Sequence, residues 1–233
     1  FLVPLILFVR GKSFREVMAA AFFAGLAGNY LTYGWIGNFG AKETGGYFVI
    51  DFFLIPSLSA FFTVKIVAAE FFTRRFPRLR LLIFPAVWVI VDFIQSIGFL
   101  AFPWPYIGYS QYAFRPFIQM ASVTGILGIN FLMVFFNVCA SDFAGAVNKA
   151  GSLKDAFKSA SGKAFTASVL LVLCITIAGM NRQLSHDREP AGSSLRVAAV
   201  QTCISPWDNW NRKKFGNLAE LMRHTDGALR DDP

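Results

Sequence analysis

The chain is short of charge. Only 15% of its 233 residues are Asp, Glu, Lys or Arg, where a water-soluble domain carries about 25%. Acidic residues are the scarcer kind, 14 against 22 basic ones. There are two histidines, His186 and His224. They stand too far apart for a zinc-ligand spacing, so no metal is expected, and no cofactor. Three cysteines, Cys139, Cys174 and Cys203, make neither a disulfide framework nor a thiolate cluster. The chain opens on Phe1, and its first apolar run, 1–9, is half a membrane span. Arg10 follows that run, the reverse of the charge order in a secretory signal peptide. A fragment missing its N-terminus is the expectation.

Apolar residues are abundant. They make up 55% of the chain, with 27 phenylalanines and a mean hydropathy of +0.50, which is the membrane class. Beyond the partial span 1–9, five segments reach the roughly 20 apolar residues of a bilayer crossing: 16–35, 47–69, 80–101, 116–140 and 164–180. Between them, basic and nearly neutral loops alternate. Loop 10–15 holds Arg10, Lys12 and Arg15, and loop 73–80 holds Arg74, Arg75, Arg78 and Arg80. Loop 141–163 holds Lys149, Lys154, Lys158 and Lys163. Loops 36–46 and 102–115 carry one basic residue each, Lys42 and Arg115. The positive-inside rule makes the basic loops cytoplasmic. This distribution accounts for the net charge of +8 through topology and anionic lipid, so no nucleic-acid partner is expected. The first 180 residues are therefore read as a helical polytopic bundle. Within it, Ala21, Gly25, Ala24, Gly28, Gly125 and Gly128 are expected at close helix contacts. Cys139 and Cys174 are expected in the core. Segment 141–162 is weakly amphipathic and expected along the membrane surface.

The character changes after a polar linker, 181–194. Leu195–Gln201 reads as a short buried strand, and 211–230 as an amphipathic helix with Phe215, Leu218, Leu221 and Met222 on one side. Strand followed by helix suggests the opening of an α/β domain. The loop charges put it outside the cytoplasm, beside loop 102–115.

Few side chains could carry chemistry. Asp92 lies near the middle of span 80–101, where a carboxylate is costly and a functional candidate by default. Gln95 and Ser96 share its face, and Asn130 is a possible hydrogen-bonding partner. Loop 102–111, Phe-Pro-Trp-Pro-Tyr-Ile-Gly-Tyr-Ser-Gln, cannot form a regular helix through its two prolines. Non-helical backbone at membrane depth must be enclosed by protein or line a cavity. Ser110 lacks the second glycine of a nucleophile elbow, and Cys203 has no local base or cation to activate it.

In order along the chain, these pieces resemble the apolipoprotein N-acyltransferase family. Trp88-Val-Ile-Val-Asp92-Phe93 is similar to the family's Trp-x-x-x-acid-aromatic segment. Phe102-Pro103-Trp104 with Gly108-Tyr109-Ser110-Gln111 is similar to its loop signature, and Val197–Gln201 to the first strand of its nitrilase-type αββα domain. There are departures. Asp92 stands for a glutamate, Gln95 for an arginine and Ala101 for a glycine. The resemblance implies substrate contacts for Phe102, Trp104, Tyr109, Gln111 and Trp210, with Trp207 a rival for the last. It implies a monomeric inner-membrane enzyme with its soluble domain in the periplasm. That enzyme passes an acyl chain from a phospholipid, through a cysteine thioester, to the α-amino group of a diacylglyceryl-cysteine lipoprotein. A glutamate acts as base and a lysine supports the oxyanion. None of these three catalytic residues can be assigned in 1–233; they are expected beyond it, which would leave the fragment inactive. The alternatives are a transporter or sensor with an outer binding domain, and a membrane-tethered amidase.

Overall fold

A computed structural model describes residues 2–37, 47–97, 101–186, 199–201 and 210–230. It divides into two units, 1–188 and 189–233. The described elements of the first unit are α1 (Leu2–Val9), α2 (Phe14–Tyr33), α3 (Tyr47–Arg75), α4 (Arg80–Gln95), α5 (Arg115–Ile118), α6 (Ala121–Ala150), α7 (Leu153–Lys158) and α8 (Ala160–His186). In the second unit α9 spans Trp210–Arg230.

Helix α2 starts at a capping box. The Glu16 N–H donates to Ser13 Oγ (3.3 Å) and the Ser13 N–H donates to Glu16 Oε2 (2.8 Å), which satisfies two otherwise orphaned donors. Helix α2 packs along α3, α3 against α4, and α4 against α6. Gly25 makes the first of these contacts possible. A Cβ there would stand 3.2 Å from the Ser59 backbone, so the two helices meet almost backbone to backbone. The core joins Leu2, Ile6 and Val9 of α1 to Val17, Ala21, Ile66, Phe84, Trp88, Val134 and Val138. A smaller cluster of Phe117, Ile129 and Leu132 holds α5 to α6 and α8.

Among the described residues, three helical stretches are long and apolar enough to cross a membrane: Phe52–Arg75, Ala121–Ala150 and Ala160–Ser185. Their outward faces carry exposed apolar side chains, such as Leu170, Leu173 and Ile177. Helix α2 overlaps the expected span 16–35, and α4 covers only 80–95 of the expected span 80–101. Helix α4 has 16 residues, about 24 Å at 1.5 Å per residue, shorter than a hydrocarbon core of about 30 Å. It ends where the Phe102 N–H donates back to the Gln95 carbonyl (3.0 Å).

Several expectations need correcting. Residues 141–150, the first part of the segment expected along the membrane surface, continue helix α6. Its Asp142 is held by Arg10 and by Arg80 (3.4 Å), and the helix stops only at Gly151, at φ 63°. Phe143 stacks on Phe165 of α8, centroids 4.9 Å apart. Helix α8 extends to His186, so the first six residues of the expected linker are helical. Cys139 is buried, but Cys174 is exposed on α8. Gly125 is not a packing contact: nothing lies within 4 Å of where its Cβ would be. It takes φ 65°, ψ −175° inside α6, a kink that only glycine adopts without strain. Gly128 meets Thr124 of its own helix.

In the second unit, α9 matches the expected 211–230 helix, and Phe215, Leu218, Leu221 and Met222 are exposed. Of the expected strand, 199–201 are described and carry no regular secondary structure. The rest of it, with Cys203 and Trp207, lies outside the described residues, as do linker residues 187–194.

Candidate functional site

The first unit has a charged end and an aromatic end. At the charged end Glu70, almost wholly buried, accepts from Arg74 Nε (3.2 Å) and Arg80 Nη1 (3.3 Å). Arg80 and Arg10 share Asp142. These pairs bring Arg10, Glu70, Arg74, Arg80 and Asp142 together at one end of the bundle.

The aromatic end is built by loop 101–114, folded around a short 310 turn, Ile107–Gln111. A chain of polar contacts through the bundle interior holds it. Lys65 Nζ of α3 pairs with Asp92 Oδ1 of α4 at 2.5 Å. Asn130 Nδ2 of α6 donates to Asp92 Oδ2 at 2.7 Å. Asn130 Oδ1 in turn accepts the Gly108 N–H at 2.8 Å. The Tyr106 hydroxyl donates to the Asp92 carbonyl at 3.3 Å. Lys65, Asp92 and Asn130 are all at most 3% exposed. Buried ions survive only when paired and hydrogen-bonded, and here each partner comes from a different helix. Lys65 Nζ also lies 5.3 Å from the centroid of the Trp88 ring, within cation–π range. Gly108 is obligatory for the close approach. A Cβ there would fall 2.7 Å from Asn130 Oδ1 and 2.8 Å from Ile126 Cδ1.

Above this cluster lies a cavity of about 330 Å³, bounded by α2, α3, α4 and the loop. Asn29, Lys65, Trp88, Gln95, Trp104 and Tyr109 are among its lining residues. Trp104 and Tyr109 are half exposed at its wall. Phe102 stands beside it, packed on Trp104 (5.2 Å) and Tyr33 (5.8 Å). Tyr109 stacks on Tyr106 at 5.6 Å.

The cavity thus gathers Trp104 and Tyr109, with Phe102 against Trp104. Gln111 is not among its lining residues. It borders a separate hollow of about 170 Å³ with Phe114, Phe117, Leu132 and Val172, and its Nε2 donates to Ser110 Oγ (2.9 Å). Trp210 opens α9 in the other unit. The Ser96 hydroxyl donates back to the Phe93 carbonyl (2.7 Å), whereas Gln95 lines the cavity. The residue absent from the sequence reading is Lys65. Its signal is a cation inside the otherwise uncharged run 52–69, opposite in sign to Asp92, set close before the charges Glu70, Arg74 and Arg75.

No group of three or more metal-ligating side chains occurs among the described residues, and no solved structure matches the chain. Curated relatives do. It is 34% identical to "Apolipoprotein N-acyltransferase 2" of Treponema denticola over 135 residues, 56% of this chain and 25% of that protein. It is 27% identical to "Apolipoprotein N-acyltransferase 1" of the same organism over 233 residues, 100% of this chain and 41% of that protein. It is 29% identical to "Apolipoprotein N-acyltransferase" of Borreliella burgdorferi over 149 residues, 63% of this chain and 26% of that protein. The chain therefore spans well under half the length of these relatives. The model of the apolipoprotein N-acyltransferase N-terminal domain matches residues 1–139, the stretch that contains Lys65, Asp92, Asn130 and the whole aromatic loop. With more than half its length matched, the chain belongs to the apolipoprotein N-acyltransferase N-terminal domain family.

Proposed function

We propose that this chain is the membrane platform of an enzyme that N-acylates bacterial lipoproteins. The acyl donor is a membrane phospholipid, and the acceptor is the α-amino group of a diacylglyceryl-cysteine. The reaction runs through a cysteine thioester, with a glutamate base and a lysine at the oxyanion. The platform lies in the cytoplasmic membrane with its charged end inward. Its aromatic cavity faces the periplasm, where residues 195–233 open a nitrilase-type domain and Trp210 reaches the substrates.

The observation that carries this reading is the clamped loop. Irregular, aromatic backbone is fixed through buried ions over a polar cavity, within the segment matched by the family. Both substrates are lipids with polar heads, so a cavity with apolar walls and polar floor at the end of a bundle fits them. Positioning of this kind is a large share of what an acyl-transfer site must supply.

Two measurements test the reading. Trp104→Ala in the full-length protein should lower acyl transfer about tenfold or more at unchanged membrane abundance; unchanged transfer would remove the loop from the substrate path. In a cysteine-free background, Ser110→Cys should react with a membrane-impermeant maleimide in spheroplasts, and Lys154→Cys only after lysis. The opposite pattern would reverse the orientation.

A further inference from the structure

Helices α2 and α3 run antiparallel, since Gly25 meets Ser59 and Phe14 meets Phe71. Where α2 begins and α3 ends, they leave a groove of about 510 Å³, separate from the aromatic cavity. Phe14, Met18, Val64, Val67, Phe71 and Phe72 are among its lining residues, and all of these but Val67 are exposed. Thr63 is the only lining residue with a polar side chain, and its hydroxyl donates to the Ser59 carbonyl (2.7 Å). The groove therefore takes hydrocarbon, because a polar group placed in it would lose its hydrogen bonds. Cations stand at its end. Arg15 lies three residues before Met18 on α2, and Arg75 lies three and four residues after Phe72 and Phe71 on α3. Those spacings share a helix face. Both arginines are exposed, and neither pairs with a carboxylate among the described residues. The neighbouring carboxylates are already taken, Glu16 by Lys12 (3.3 Å) and Glu70 by Arg74 and Arg80. We propose that this groove holds an acyl chain of an anionic phospholipid whose phosphate sits at Arg15 and Arg75. A hydrocarbon slot that ends in unpaired cations fits an occupant that is apolar along its length and negative at one end. A second copy of this chain fits worse, because a two-fold contact here would set the same arginines against each other. With the charged end inward, the lipid belongs to the cytoplasmic leaflet, whose anionic headgroups attract cations.

This site lies at the opposite end of the bundle from the aromatic loop and takes no part in the proposed reaction; its lipid is structural and seals the seam between α2 and α3. The test is binding and needs no turnover. The 233-residue chain in nonionic detergent is titrated with dioleoylphosphatidylglycerol or with dioleoylphosphatidylcholine, which have the same chains and differ in charge. Bound lipid is counted by native mass spectrometry. A cation near an anionic lipid surface adds about fivefold to binding, so phosphatidylglycerol should bind about tenfold more tightly or better. Arg15→Gln/Arg75→Gln should bring the two lipids within about threefold of each other. Phosphatidylglycerol with a diazirine in one acyl chain reports the place. Photolysis should label residues 14–18 and 63–72, and Val64→Trp, which fills the groove, should abolish that label. Equal binding of the two lipids by the unaltered chain overturns the proposal, whether or not the variants fold. So does a label confined to loop 102–111 or to α8, and so does a preference that survives the loss of both arginines. A dimer that excludes the lipid overturns it in favour of a second copy. A reversed labelling pattern in spheroplasts would refute the orientation and leave this site standing.

Discussion

Replacing Lys65 with methionine should unfold the first unit more readily than any change of similar size on its surface. The substitution conserves most of the side-chain volume and removes the charge. Asp92, fully buried, would keep the Asn130 amide at 2.7 Å and lose its counter-ion. Removing one partner of a buried ion pair costs about 3–5 kcal/mol. For a body of this size each kcal/mol moves the melting temperature by about 2–4 °C, so a fall of about 6–20 °C is expected. The assay is thermal loss of helical circular dichroism in nonionic detergent. Asp92→Asn should cost a similar amount, because it strands the Lys65 ammonium. The double variant Lys65→Met/Asp92→Asn carries neither charge and still offers Asn130 an acceptor. It should return to within about 1 kcal/mol of the parent, since well-packed neutral replacements of buried pairs are often neutral. Single and double variants that melt together would refute the reasoning, because the ions would then not be coupled.

Asn130→Leu removes the acceptor of the Gly108 N–H and a donor to Asp92 at once. Two buried groups left unmet cost about 1–3 kcal/mol each, so the melting temperature should fall by several degrees; a shift under 2 °C would mean water replaces the amide. Gly108→Ala places a methyl 2.7–2.8 Å from Asn130 and Ile126. Overpacking of this kind costs about 1–3 kcal/mol, and the displaced loop should shift the emission of Trp104; an unchanged spectrum and melt would refute the tight fit. The Trp104→Ala test of acyl transfer stands beside these as the functional counterpart.

The helices were legible because long apolar runs are separated by loops that are basic and nearly neutral in turn. Their ends were not. Helix α4 stops at Gln95 because the chain turns there and the Phe102 N–H returns to the Gln95 carbonyl, a contact that hydropathy does not encode. Helix α6 overruns its expected end because Asp142 meets Arg10 and Arg80 from distant parts of the chain. Asp92 and Asn130 could be paired from sequence as polar residues inside apolar runs. Lys65 was masked by its position, five residues before Glu70 and nine before Arg74, which makes it look like part of a charged helix end. Gln111 illustrates a finer limit. In a 310 turn, residues three apart share a face, so Tyr106 and Tyr109 stack while Gln111 points elsewhere. A motif read as a string cannot distinguish those directions.

Helix α3 carries Lys65 and Glu70, and both find opposite charges on α4, at Asp92 and Arg80. The two pairs have reversed polarity along the same helix. Sliding α3 past α4 by one turn, about 5.4 Å, would separate both pairs together and strand charge within the bundle. Apolar ridges alone tolerate neighbouring alignments of two helices. These two pairs act as a key with two differently cut teeth, which fixes the alignment of α3 on α4 and, through Asp92 and Asn130, the height at which the aromatic loop sits.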